Sequence, residues 1–252
     1  GRLGRTGKQG GGRAERRRRT RDKGKDRAAA AGGAGASSSS GAQLAPEEVA
    51  PTAAAGPTRF EALLESRWVL PAALLVGLLL RLAHGFALSR TPFFDHLGLD
   101  CEVYDEWAQR IAAGDWMGTR IFYQDPLYPY FLGVLYAVFG RSLWLVYLLQ
   151  IGFGLATCWL TALLGRRLFG RAAGNLAGWM AALFAPSIFS ELQVEKTFLS
   201  VFLVAAFLVT FLDRRPRMRL ASGLLLALAC LTRANLIVFL PLYVLFMSLV
   251  QL

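Results

Sequence analysis

Cysteine is scarce in this chain. Cys101, Cys158 and Cys230 are the only three in 252 residues, far apart and without a CxxC spacing, so neither a disulfide framework nor a cysteine-based zinc site is on offer. Charge is nearly missing from the centres of the apolar runs. That argues against a transport path built from intramembrane ionisable residues. The N-terminal stretch does not read as a signal peptide, because the first apolar run starts only near Trp68 and lacks a cleavage-like end. Apolar residues are what the chain has in abundance: 54% are hydrophobic and the mean hydropathy is +0.40. An all-α integral membrane protein is expected, a polytopic helical bundle rather than a soluble domain.

The formal charge of +11 is unevenly spread. Residues 1–60 hold 13 of the 28 basic and 5 of the 17 acidic residues, a balance of +8, which leaves +3 for the remainder. Residues 1–58 form a low-complexity tail, with a basic block (Arg16 to Arg19, Lys23, Lys25, Arg27), then Ala and Gly, then Ser37 to Ser40. Such composition buries too little apolar surface to offset its ordering entropy, so disorder is expected. We read the tail as a solvated cytoplasmic segment rather than a nucleic-acid or anionic-lipid binder. The chain opens on Gly and stops at Leu252 inside an apolar run, and reads as a fragment truncated before its last spans.

Trp68–Leu88 is about one bilayer thickness of helix, since roughly 20 residues at 1.5 Å span about 30 Å. Arg81 and His84 lie one turn apart in it; snorkelling is the simple account of the pair, a polar cavity the other. Four more apolar stretches follow: Ser142–Leu164, Ala172–Ile188, Phe198–Leu212 and Leu220–Leu252, the last interrupted at Thr232-Arg233. The connections GRRLFGR (Gly165–Arg171) and DRRPRMR (Asp213–Arg219) are short and basic. Placing them and the tail in the cytoplasm satisfies the positive-inside rule. Leu127–Gly140 is then too short to cross, and is expected to lie in the outer interface with Tyr128, Tyr130 and Tyr136 as anchors.

The stretch between the first two spans, 89–141, is the one long acidic insert. Seven carboxylates (Asp95, Asp100, Glu102, Asp105, Glu106, Asp115, Asp125) stand against three arginines between Ala87 and Pro126. Val103, Trp107 and Ile111 recur at helical spacing and predict an amphipathic surface helix. The topology gathers Asp100, Tyr104, Asp105, Gln124, Asp125, Glu191, Glu195, Lys196 and Arg233 at one external face. A carboxylate there could serve as general base, and Lys196 or Arg233 could hold a phosphate leaving group. Taken singly, Asp105 and Glu106 read as solvated face, Glu191 as surface, Lys196 as a boundary residue and Arg233 as a span end.

Several stretches between Trp68 and Leu252 carry a resemblance. D-x-x-x-Y (Asp100, Tyr104) precedes GDW (Gly114-Asp115-Trp116) and DPLYPYFLGVLYAVFG (Asp125–Gly140); LLGRRLFGRAAG (Leu163–Gly174), Pro186 with Glu195, and LTRAN (Leu231–Asn235) follow. In this order they resemble the GT-C membrane glycosyltransferases that use polyprenyl-phosphate sugars, a group (glycosyltransferase family 39 and its relatives) with bacterial aminoarabinose and RgtA-like transferases and protein O-mannosyltransferases. The resemblance implies that 59–252 is a truncated transmembrane transferase module with 89–141 as its external catalytic loop. Its activity would be hexosyl or pentosyl transfer to a lipid, glycan or protein acceptor at the outer face of a bacterial inner membrane, with the N-terminus cytoplasmic. Asp100 is then the catalytic base and Glu195 the second acidic residue. Tyr104, Asp125, Lys196 and Arg233 are candidate substrate-binding groups, and the polyprenyl-phosphate sugar and membrane lipids are the partners, without nucleic acid.

The sequence departs from the group in places. Asp125 stands where the aminoarabinose enzymes have a phosphate-contacting Lys, and Leu127 replaces the second Pro. Ala234 stands where Pro is common. Some relatives bind a divalent cation near their acidic residues, so a metal beside Asp100 and Glu195 stays open. A transporter or channel with an acidic external vestibule is the alternative; it requires ionisable residues midway along several spans, or broken paired helices.

Overall fold

The computed structural model describes residues 59–118 and 124–251. The expectation of disorder for 1–58 therefore lies outside the described residues. Among them the chain is helical throughout, without a strand: α1 (Arg59–Leu64), α2 (Val69–Leu88), α3 (Asp100–Ala112), α4 (Leu127–Phe139), α5 (Leu143–Phe169), α6 (Arg171–Ala182), α7 (Ala185–Ser190), α8 (Thr197–Phe211), α9 (Pro216–Thr232) and α10 (Phe239–Gln251), with 3-10 turns at Pro92–Phe94 and Ala234–Val238.

Two of these helices, α2 and α5, are long and apolar enough to cross a membrane, at about 30 and 40 Å by the helical rise. The helices α4 and α8 and the stretch Ala234–Leu249 are apolar but shorter. Ser142 caps the start of α5, its Oγ accepting from the Leu145 N–H. The helix ends at Gly170, whose φ of 92° is the left-handed turn a glycine takes at little cost. Arg166 and Arg167 in its last turn complement the negative end of the helix dipole.

The basic turns meet at that end. Arg167 donates to the Val209 carbonyl near the end of α8, just before Asp213–Arg219, at 2.7 Å. Arg166 donates to Asn175, and Asn175 to the Leu64 carbonyl before α2. The acidic insert sits at the opposite end, where Arg141 pairs with Asp105 just before α5 begins.

The expected span Ala172–Ile188 is not one helix but two, α6 and α7. Proline explains the break. Pro186 has no N–H to give to the Ala182 carbonyl four residues back, and its ring crowds that position. Ala182 O accepts instead from Arg81 Nη1 at 3.0 Å. Arg81 does not snorkel: it is fully buried and grips Glu191 with Nε at 2.6 Å and Nη2 at 2.9 Å. Glu191, expected at the surface, is also fully buried. The helical interior thus holds a charge pair, where the simple account had Arg81 reaching for the interface.

Two further expectations on the insert need correction. The buried face of α3 is Tyr104, Asp105, Ala108 and Ile111, while Val103 is exposed, a rotation of about one residue from the predicted stripe. Tyr128 and Tyr136 are buried rather than interfacial. Tyr128 packs edge-on against Tyr104 at 5.2 Å and against Phe198 at 5.8 Å, and Tyr136 donates to Asp105 Oδ1 at 2.6 Å. Tyr130 stays half-exposed and donates to the Trp116 carbonyl.

Asp105 is accordingly not a solvated face. It is 5% exposed and accepts from Gln109 on its own helix and from Tyr136 and Arg141, and the last two tie α3 to α4 and to the turn before α5. Asp105→Ala would strand the Tyr136 hydroxyl in the core and is expected to cost about 2–3 kcal/mol. Thermal unfolding of the purified protein would register this as a lowered Tm, and an unchanged Tm would mean the cluster is not holding the helices together.

Candidate active site

Three connections converge at the end of α5 that carries the acidic insert. The first brings Asp100, which opens α3 where the positive end of the helix dipole favours a carboxylate. Leu99 before it is 91% exposed, with a φ of 56° that a leucine rarely adopts. Asp100 Oδ1 accepts from Gln124 Nε2 at 3.2 Å. Gln124 Oε1 is buried and has no hydrogen-bond partner among the described residues.

The second connection is Glu191–Lys196. Lys196 Nζ reaches Asp125 Oδ2 at 2.5 Å. Burial works against the lysine's charge, but Asp125 and the Tyr104 hydroxyl outweigh it and hold its pKa above the ordinary value. Burial likewise raises Tyr104, with Lys196 opposing, so at neutral pH the pair is an ammonium beside a protonated phenol. The third connection is the turn after α9. There Arg233 Nη2 donates to Thr197 Oγ1 at 2.9 Å, and the Ala234 N–H donates to Asp125 Oδ1 at 3.1 Å. Asp125 is thus a clasp: one oxygen takes Lys196, the other the third connection.

A cavity of about 680 Å³ opens here. Asp100, Glu195 and Cys101 line it with both histidines of the chain, His84 and His96, among apolar walls that include Phe93 and Phe189. Glu195 is half-buried, and its carboxylate takes no hydrogen bond among the described residues. No group of three His, Cys, Asp or Glu among those residues is placed to hold a metal ion. Asp100 and Glu195 offer two carboxylates, one short of such a group.

Of the expected polar residues, the structure therefore draws Asp100, Tyr104, Gln124, Asp125, Glu195, Lys196 and Arg233 to one region. Asp105 and Glu191 are committed to pairs of their own. Sequence reasoning missed Gln150, fully buried in α5 and bonded to the second connection. The signal was there: a lone amide inside an apolar helix needs a partner.

The family model described as dolichyl-phosphate-mannose-protein mannosyltransferase matches residues 124–251. No curated protein and no solved structure matches the chain. The matched region starts at Gln124 and takes in Asp125, Glu195, Lys196 and Arg233, leaving Asp100 and Tyr104 just upstream. With apolar helices suited to a membrane and half its length under that match, the chain belongs to the dolichyl-phosphate-mannose-protein mannosyltransferase family, as an integral membrane glycosyltransferase of the GT-C type.

Proposed function

We propose that the chain transfers a sugar from a polyprenyl-phosphate-linked donor to an acceptor on the extracytoplasmic side, with Asp100 as general base. The observation that carries this reading is that two carboxylates, Asp100 and Glu195, line one cavity, with Lys196 next to Glu195 in the chain and Arg233 bonded to Thr197 one residue further on. The acceptor oxygen or nitrogen attacks the anomeric carbon and gives its proton to Asp100. The bond from that carbon to the phosphate oxygen breaks, and its electron pair leaves on the lipid phosphate. The configuration inverts in this single displacement.

Arg233 suits the leaving phosphate, because it is ion-paired to no carboxylate among the described residues. Lys196 has to share its charge with Asp125. The unpaired Gln124 oxygen beside Asp100 offers an acceptor for a substrate hydroxyl. Tyr104 steadies Lys196, and Glu195 faces the same space as the second acidic group.

The collection of basic turns at the far end of α5 supports a cytoplasmic placement of that end by the positive-inside rule. The site then faces outward, and a bacterial plasma membrane is the setting we assign. A transport reading has one observation in its favour, the ion pair inside the helices. Arg81 and Glu191, however, are both fully buried and bonded to each other, which suits a fixed structural lock better than a path for ions.

The test uses Cys101, which lines the cavity next to Asp100. In intact cells carrying the full-length protein, a membrane-impermeant maleimide is expected to label Cys101. Added polyprenyl phosphate at ten times its dissociation constant should slow this about tenfold. Labelling that ignores the lipid phosphate would remove the donor site from this cavity, and labelling only after permeabilisation would reverse the orientation.

A further inference from the structure

The connection that carries Glu195 and Lys196 is irregular backbone inside a helical bundle, where unbonded carbonyls are costly. Gln150 supplies the partners. Its Nε2 donates to the Glu191 carbonyl at 2.7 Å and to the Gln193 carbonyl at 2.8 Å. The Gln193 carbonyl also takes the Glu195 N–H at 2.8 Å, so one oxygen joins Gln150 to the backbone of the second site carboxylate. The remaining acceptor, Gln150 Oε1, is filled by the Tyr128 hydroxyl at 2.8 Å. That bond fixes which end of the amide points at the connection. Tyr128 in turn stands edge-on against Tyr104, which borders Lys196.

We infer that Gln150 is a positioning residue for the transfer site: held by Tyr128, its amide sets the Gln193–Lys196 backbone and so fixes Glu195 and Lys196 relative to Asp100. The role in transfer rests on the proposed function; the placement of the connection does not. Every polar atom of Gln150 is used, and the side chain is fully buried, with no freedom to serve the substrate itself. An apolar residue of the same size would fill the space yet free two carbonyls to pull the connection elsewhere.

Cys101 reports on that placement without any substrate. Its thiol lies against the Val194 backbone, and burial first, then the charges of Glu195 and Asp100, raise its pKa. His84, His96 and Tyr147 line the same cavity, and the Tyr128 hydroxyl is a further titratable neighbour of the thiol. The rate of maleimide labelling of Cys101 is measured against pH on the purified full-length protein, by peptide mapping, without lipid. In Gln150→Met the rate at neutral pH is expected to rise about tenfold, with the midpoint of the profile falling as Glu195 moves away. Tyr128→Phe, which keeps the ring packing and removes only the hydroxyl, should shift both in the same direction by less. Wild-type rate and midpoint in both variants would overturn the inference. If Gln150→Met does not give a monodisperse protein, Tyr128→Phe alone decides. A failure of sugar transfer in Asp100 variants, or of lipid protection, would bear on the proposed function and leave this result untouched.

Discussion

Glu191→Leu is expected to destabilise the protein by about 3–5 kcal/mol, because it leaves the Arg81 guanidinium buried without its counter-charge. Arg81 is fully enclosed, and its other acceptors are the Gly77 and Ala182 carbonyls and, at 3.9 Å, the Cys158 sulfur. The combination of Arg81→Met with Glu191→Leu should recover most of the loss, since an apolar pair of similar volume has no charge to bury. Gly154→Ala should resemble the single variant: a Cβ on Gly154 would fall on the Glu191 carboxylate and push it off Arg81. Chemical unfolding in detergent would measure all three. A single variant within about 1 kcal/mol of the parent would mean that water reaches the pair.

Asp100→Asn is expected to cut the rate of sugar transfer by a factor of about 10² to 10⁴, the usual contribution of a general base. The fold should not change, because the bond that Asp100 makes is one accepted from Gln124 on an exposed edge, and Asn retains an oxygen for it. Polyprenyl-phosphate-linked mannose is the first donor to try, on the description of the family. A loss of rate at saturating donor with an unchanged KM would place Asp100 in the chemical step. Unchanged turnover would remove the base assignment, and attention would pass to Glu195.

How the candidate site is assembled was legible from charge and spacing: placing the short basic turns on one side of a membrane puts the insert, Glu195, Lys196 and Arg233 together on the other. Asp100 was singled out by the family resemblance, not by charge. What stayed hidden depended on pairing between distant residues. Nothing local marks Glu191 as buried; its partner lies 110 residues earlier in the chain. Asp105 looks like its neighbour Glu106 until Tyr136 and Arg141 close on it. Tyrosines near a span end fit an interfacial belt as well as a core, and only the packing of α3 on α4 puts Tyr128 and Tyr136 inside. The break at Pro186 was readable, since proline cannot complete the bond to Ala182 O, but the length of the apolar run masked it.

The ion pair also bears on how the chain enters its membrane. Arg81 leaves the ribosome well before Glu191, so α2 must first be accepted by the insertion machinery with its charge unanswered. An arginine at mid-helix costs about 2.5–3.5 kcal/mol on insertion scales, whereas each Leu, Ile, Val or Phe returns about 0.3–0.6. With eight leucines, two valines and a phenylalanine, α2 has enough apolar residues to outweigh it. The richness in leucine of this helix is therefore matched to a waiting period, during which α2 holds an exposed cation in place until the later half of the protein arrives to claim it.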